Sequence, residues 1–224
     1  MALYTMADLH LSFSSEKPMD VFGDRWKDHP RKIAERWPLT EEDTIVLPGD
    51  FSWAIDFKAL AADMAFLHNL PGTKILSKGN HDYWWETVSK MNRFVEKDFP
   101  SVHFLHNNSY EIDGVSVCGT RGWTLENSDE DEKVLNREVG RLKMSLDKAT
   151  AQPIVFLHYP PLFGDLRCEP ILELLRQYNV KECYYGHLHG AGATALAVEG
   201  EIDGTQFRLI SADRLDFTPL RLRD

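Results

Sequence analysis

The chain has 224 residues, 43% hydrophobic and 27% charged, a composition expected of one globular domain spanning 1–224. Its 25 basic and 35 acidic side chains leave a net charge of −10 with no Lys/Arg cluster, which argues against an extended nucleic-acid partner. Cys118, Cys168 and Cys183 are odd in number and far apart, against a disulfide framework or thiolate metal site. The start lacks a basic region followed by a long apolar core, and no stretch approaches membrane-spanning length, so no membrane partner and a cytoplasmic location are expected.

Along the chain, Leu3-Tyr4-Thr5-Met6 predicts a strand that runs into Asp8 and His10, and an irregular stretch, 12–30, leaves the same point. Thr44-Ile45-Val46-Leu47 predicts a second strand, ended by a Pro-Gly turn and Asp50. Apolar residues three and four apart (Phe57, Leu60, Met64, Leu67) predict a helix. Ile75-Leu76 predicts a third strand before Asn80-His81-Asp82, then a helix from near Tyr83 carrying Val88, Met91 and Val95. Short strands are expected at 102–105, 110–112 and 115–119, with Ile112-Asp113-Gly114-Val115 as a hairpin turn. Leu135, Val139, Leu142 and Leu146 predict a helix that Ser128 would cap, with Asp129, Glu130, Asp131 and Glu132 in its first turn. Ile154-Val155-Phe156-Leu157 ends at His158, followed by a second irregular stretch, 159–170. Cys183-Tyr184-Tyr185 precedes His187 and His189, and further strands are expected at 193–198, 206–211 and near 217–222. This alternation predicts an α/β fold with helices outside two packed sheets, the two irregular stretches being either substrate loops or merely long connections.

In α/β folds the carboxyl ends of the strands share one rim, where ligands collect. Asp8, His10, Asp50, Asn80, His158, His187 and His189 all follow strand-like runs, so they are expected to meet there. Gly49, Gly79 and Gly186 each precede a candidate ligand, where the backbone must turn or approach an ion closely. Carboxylate, imidazole and carboxamide without thiolate suit two divalent transition-metal ions, Mn, Fe, Zn, Ni or Co. Seven donors suffice for two ions with positions open to water and substrate.

Asp8-Leu9-His10, Gly49-Asp50, Gly79-Asn80-His81-Asp82, His158 and Gly186-His187-Leu188-His189 resemble, in order, the motifs of the calcineurin-like metallophosphoesterases. Gly49-Asp50-Phe51-Ser52-Trp53-Ala54 and Asn80-His81-Asp82-Tyr83-Trp84-Trp85 further resemble a bacterial branch of predicted phosphohydrolases. The resemblance implies a four-layer αββα sandwich of two mixed β-sheets flanked by helices, the metallo-dependent phosphatase fold. It implies Asp8, His10 and His189 on one metal, Asn80, His158 and His187 on the other, and Asp50 bridging both. A hydroxide held between the ions would attack phosphorus, His81 would serve the leaving oxygen as general acid, and Asp82 would orient His81. Asp82 is also placed to cap a helix beginning near Tyr83, a role compatible with the first.

Arg121 follows the 115–119 run and is a candidate phosphate clamp beside Asn80, with a surface salt bridge as the competing reading. Arg167 is a weaker candidate for the same role, in a loop near Asp165 that could simply pair with it. Trp53, Trp84, Trp85 and Trp123 lie near site positions and either stack on a substrate ring or pack the core, while His29, His68, His103 and His106 match no motif and read as structural or solvated. The expected substrate is a small or nucleotide-like phosphate monoester or diester, with a pyrophosphate also open. The alternative is a non-catalytic metal-binding module of the same fold, and a third possibility, an amide or ester hydrolase, is opposed by the Asn80 carboxamide.

Overall fold

The computed structural model describes residues 1–123 and 129–224, the side chains of 129–131 excepted. The proposed Ser128 cap lies outside the described residues, as do the side chains of Asp129, Glu130 and Asp131. In chain order the elements are β1 (Leu3–Thr5), α1 (His29–Glu35), β2 (Thr44–Pro48), α2 (Phe57–Asn69), β3 (Thr73–Ser77), α3 (Val88–Asp98) and β4 (Val102–Phe104). Then come β5 (Tyr110–Ile112), β6 (Val115–Thr120), α4 (Asp129–Leu146), β7 (Gln152–Leu157), β8 (Leu162–Phe163), β9 (Leu166–Arg167) and α5 (Glu169–Gln177). The chain continues through β10 (Glu182–Tyr185), α6 (Gly190–Thr194), β11 (Gly200–Ile202), β12 (Thr205–Leu209) and β13 (Leu220–Arg223).

Two mixed sheets form the centre, ordered β13-β1-β2-β3-β4 and β11-β12-β10-β7-β6-β5. Strands β1 to β4 run parallel, with β13 antiparallel at the edge; in the second sheet β12, β10, β7 and β6 run parallel between antiparallel β11 and β5. Parallel strands covered on both faces carry apolar residues on both. Val46, Ile75, Val117, Ile154, Phe156 and Tyr184 fill the space between the sheets. Their neighbours Ile45, Leu47 and Leu76 face Leu60, Met64 and Leu67 of α2 and Met91 and Val95 of α3. On the far side Val155, Leu157, Cys183 and Tyr185 pack on Leu142 and Leu146 of α4 and Leu172 and Leu175 of α5. The four layers of the expected αββα sandwich are thus in place. Among the described residues no helix is long and apolar enough to cross a membrane.

Local chemistry explains the boundaries. Asp56 caps α2 by accepting the Ala59 N–H at 2.8 Å. Asp113 (φ 48°) and Gly114 (φ 77°) are both left-handed, as a two-residue turn between β5 and β6 requires. Two expectations need correction. Residues 193–198 form no strand: Ala193 and Thr194 end α6, Ala197 makes only an isolated antiparallel bridge to Phe163, and the next strand is β11. No helix starts at Tyr83 either: 83 and 84 make a turn, and α3 begins at Val88.

The sheets meet in backbone pairing just past β1 and β12. Ala7 and Ser211 form a parallel bridge, in which the Ala7 N–H donates to Ile210 O at 2.8 Å and the Ala212 N–H donates to Ala7 O at 2.9 Å. Asp8 and Asp213 follow this junction directly.

Candidate metal centre

The backbone at the rim is strained where the candidate ligands sit. Asp8 (φ 63°), His10 (φ 46°), Asp50 (φ 49°) and His187 (φ 72°) are all left-handed, a conformation that non-glycine residues hold only when their surroundings enforce it. The enforcement is visible: the Asp8 N–H donates to Gly49 O at 3.0 Å, and the His10 N–H to Asp50 O at 2.9 Å. The His187 N–H donates to Asp8 Oδ2 at 2.9 Å. The three motif glycines leave room for side chains of the rim. A Cβ on Gly79 would stand 2.1 Å from Asp50 Oδ1, one on Gly49 2.5 Å from His158 Nδ1, and one on Gly186 2.4 Å from Asp8 Oδ2.

Two donor groups result. Asp8, His10 and His189 offer ligand atoms within 4.8 Å of one another, and so do Asp50, His158 and His187. In the first, His10 Nε2 and His189 Nε2 face each other at 3.3 Å. In the second, His187 Nδ1 and His158 Nε2 are 3.2 Å apart, with Asn80 Oδ1 2.6 Å from the same His158 nitrogen. Asp50 Oδ2 lies between the groups, 3.7 Å from His10 Nε2 and 3.5 Å from His158 Nε2.

Burial pushes His158 down to about 3 despite the attraction of Asp8, and burial likewise lowers His10 and His187. These rings are neutral at pH 7, with lone pairs to give. His189 is the exception: burial opposes its charge, but the carboxylates of Asp8 and Asp213 outweigh it and raise its pKa to about 10. Burial also works to raise Asp8, yet His189, His158 and His10 together hold it well below the usual carboxylate range. Burial, with Asp82 and Asp8 nearby, raises Asp50. A cation fits this arrangement. Imidazole nitrogens converge on carboxylate oxygens, and Asp8 Oδ1 is buried without a hydrogen-bond partner, 3.4 Å from His158 Nδ1 and 3.7 Å from His189 Nε2.

The family model for calcineurin-like phosphoesterase matches residues 1–191. The chain belongs to the calcineurin-like phosphoesterase family. No curated protein matches it. Among solved structures it resembles the phosphopantetheinyl hydrolase (PptH) from Mycobacterium tuberculosis, at 14% identity and a TM-score of 0.60 over 99% of this chain and 95% of that one. TT1561 of Thermus thermophilus matches at 14% identity and a TM-score of 0.60, covering 99% of this chain and 97% of that one. A protein of unknown function from Aquifex aeolicus, AQ665, matches at 16% identity and a TM-score of 0.54, covering 98% and 95%. At these identities the three likenesses describe the shared fold alone.

Around this phosphoesterase rim the remaining expected residues take distinct places. His81 presents its ring beside Trp53, centroids 4.2 Å apart, and its Nδ1 lies 3.4 Å from the Tyr83 hydroxyl. Its backbone N–H donates to Asp50 Oδ1 at 2.8 Å, and burial and His187 lower the pKa of its ring. Asp82 does not orient His81. Its carboxylate accepts the backbone N–H groups of Asp50 (2.9 Å), Phe51 (3.0 Å), Ser52 (3.2 Å) and Gly79 (2.8 Å) and the Trp84 indole N–H (3.0 Å). Burial raises Asp82 to about 6 against these donors, and through them its carboxylate shapes the two ligand loops. With no helix at Tyr83, it caps none.

Arg121 is held from within rather than by a surface pair. Its guanidinium is 3.7 Å from buried Glu138 and lies over the Trp123 ring at 4.8 Å, while its carbonyl accepts the His158 and Tyr159 N–H groups. Arg167 pairs with Glu169 and Asp203, each at 2.7 Å, and not with Asp165. The tryptophans divide between site and core. Trp53 stacks on His10 at 5.2 Å, whereas Trp84 is buried and Trp85 packs on Trp84 and Phe104. His29 is buried beside Trp26, and His68 meets Ser101 Oγ at 2.7 Å.

Both irregular stretches reach the rim. Trp26, from 12–30, packs edgewise on His10 (5.8 Å) and His189 (5.4 Å), and Tyr159 lies 4.3 Å from the His187 ring. Trp26, Tyr159 and Asp213 are in none of the family motifs. The sole sequence signal for them is proximity to a loop or strand end.

Proposed function

We propose that this chain is a binuclear metal-dependent phosphoester hydrolase, one domain over 1–224, acting in the cytoplasm on a small or nucleotide-like phosphate monoester or diester. The supporting observation is Asp50 Oδ2 standing between two donor groups, 3.7 Å from His10 and 3.5 Å from His158. Asp8, His10 and His189 would hold one divalent ion and Asn80, His158 and His187 the other, with Asp50 shared. When bound, such ions supply Lewis acidity to phosphoryl oxygens and lower the pKa of a bound water from 15.7 to about 7.

The chain's own residues carry the remaining work. His81, beside Trp53 and the Tyr83 hydroxyl, hands a proton to the leaving oxygen, and the negative charge of a bound phosphoester favours its protonated form. Asp82 acts at one remove, by holding the Asp50 and Gly79 loops together. Asn80 and Arg121 orient the phosphoryl oxygens, a planar guanidinium suiting two of them at once. The acidic chain favours a compact substrate over a long polyanion.

The test is hydrolysis of chromogenic phosphate monoesters and diesters by metal-stripped protein titrated with Mn, Zn, Ni and Mg, beside an Asp50→Asn control. Nucleotides and a phosphopantetheinyl ester, suggested by the name of one fold neighbour, extend the panel. Turnover that requires metal and disappears in the control is expected. Two bound ions with no turnover across the whole panel would replace this reading by the non-catalytic metal-binding module.

A further inference from the structure

Asp213 belongs to none of the family motifs and lies 24 residues beyond His189, yet its carboxylate is aimed at that ring. Asp213 Oδ1 is 2.8 Å from His189 Nδ1, and Oδ2 accepts the Gly190 N–H at 3.2 Å, so both oxygens act on one short segment. The other ring nitrogen, Nε2, is the one that faces His10 at 3.3 Å and Asp8 at 3.7 Å. Asp213 is itself held. It is buried, it follows the Ala7–Ser211 bridge by two residues, and its carbonyl accepts from Arg25 Nη1 at 2.7 Å. Trp26 packs edgewise on the same imidazole at 5.4 Å, which limits its tilt.

We infer that Asp213 is the positioning residue of His189: it keeps the ring proton on Nδ1 and turns the Nε2 lone pair into the Asp8–His10 donor group. An imidazole that binds metal through one nitrogen is oriented by whatever accepts a hydrogen bond from the other, and loss of that acceptor typically costs about 10- to 100-fold in metal affinity. The geometry also gives the effect a direction. Asp213 serves the group that contains His189, while no hydrogen bond or ion pair joins it to Asp50, His158 or His187 among the described residues, so one ion should feel its loss more than the other.

This inference rests on the binuclear reading, and the experiment separates the two. Mn binding to metal-stripped wild type, Asp213→Ala and Asp213→Asn is followed by calorimetry and elemental analysis, with thermal melting of each metal-free protein as the measure of folding. Wild type is expected to bind two ions. Asp213→Ala should weaken one of them by about 10- to 100-fold and leave the other, and Asp213→Asn, which keeps an acceptor for Nδ1–H, should recover part of that loss. Unchanged affinities in both variants would overturn the positioning role, as would equal weakening of both ions in step with a lowered melting temperature. Should Asp213→Ala not fold, Asp213→Asn decides alone: selective loss at one ion supports the role, and wild-type affinity at both refutes it. Wild type that binds fewer than two ions would instead overturn the binuclear reading itself, and the inference with it.

Discussion

Asp82 and Asp50 are joined through backbone rather than side chain to side chain: the Asp50 N–H donates to Asp82 Oδ2 at 2.9 Å, leaving the Asp50 carboxylate turned toward the rim. One buried carboxylate thereby receives five donors from two ligand loops. Asp82→Ala strands those donors, and a net loss of about 3–5 kcal/mol is predicted, because each buried unsatisfied group costs about 1–3 kcal/mol before water or relaxation offsets it. Denaturant unfolding of metal-free protein measures this. A loss under about 1 kcal/mol would mean that the loops hold their shape without Asp82.

His81→Ala is predicted to behave in the opposite way. Its side chain belongs to neither donor group, so both ions stay bound while turnover falls by about 10²- to 10⁴-fold, the usual contribution of one proton-transfer group. Elemental analysis alongside kinetics checks both halves. Lost metal with preserved turnover would reverse the assignment.

Gly186→Ala tests the close approach at the end of β10. The added methyl would meet Asp8 Oδ2 at 2.4 Å and Ala7 Cβ at 2.6 Å, so either the ligand or the junction between the sheets must move. A stability loss of about 1–3 kcal/mol, together with weaker metal binding, is expected. Gly192→Ala is the control, since a Cβ there meets nothing within 4 Å, and it should be neutral or slightly stabilising in a helix.

The pH dependence of metal-free protein follows from His189. Its folded pKa of about 10 lies above the ordinary 6.5, so its contribution to stability is complete below about 6.5 and is lost as pH rises through about 10. With a chelator present, the melting temperature should therefore decline from about pH 7 toward pH 9. In the same window Mn affinity should rise, because binding at Nε2 displaces a proton. Calorimetry in buffers of different ionisation enthalpy counts the protons released. A flat melting curve with no proton release would show that His189 is neutral before metal arrives.

Much of this rim was legible in the sequence because parallel strands deliver their last residues to one edge. An apolar run followed by Gly and a donor is therefore a statement about position, and Gly49, Gly79 and Gly186 were readable for that reason. The layers were legible too, since Val46 and its neighbours Ile45 and Leu47 face opposite ways along one strand. Asp213 was not, because nothing local links it to His189; the link depends on the Ala7–Ser211 pairing across two sheets. Adjacency misled at Asp82, which follows His81 in the chain but turns its side chain to the opposite loop. Short runs such as 193–198 carry too few residues to separate strand from helix by period: here the first two residues end α6 and Ala197 makes an isolated bridge to Phe163.

Each donor group takes members from both sheets: Asp8 and His10 precede the second sheet's contribution of His189, and Asp50 stands with His158 and His187. Neither half of the chain can assemble a complete group alone. The β1 to β4 half already brings Asp8, His10, Asp50 and Asn80 together at its rim, with Asp50 Oδ2 3.7 Å from His10 Nε2, but lacks the imidazoles of His158, His187 and His189. On the proposed assignment, neither ion's full ligand set exists until β7 and β10 have docked on β1 to β4. An ion retained through purification would report a completed fold as well as a filled site.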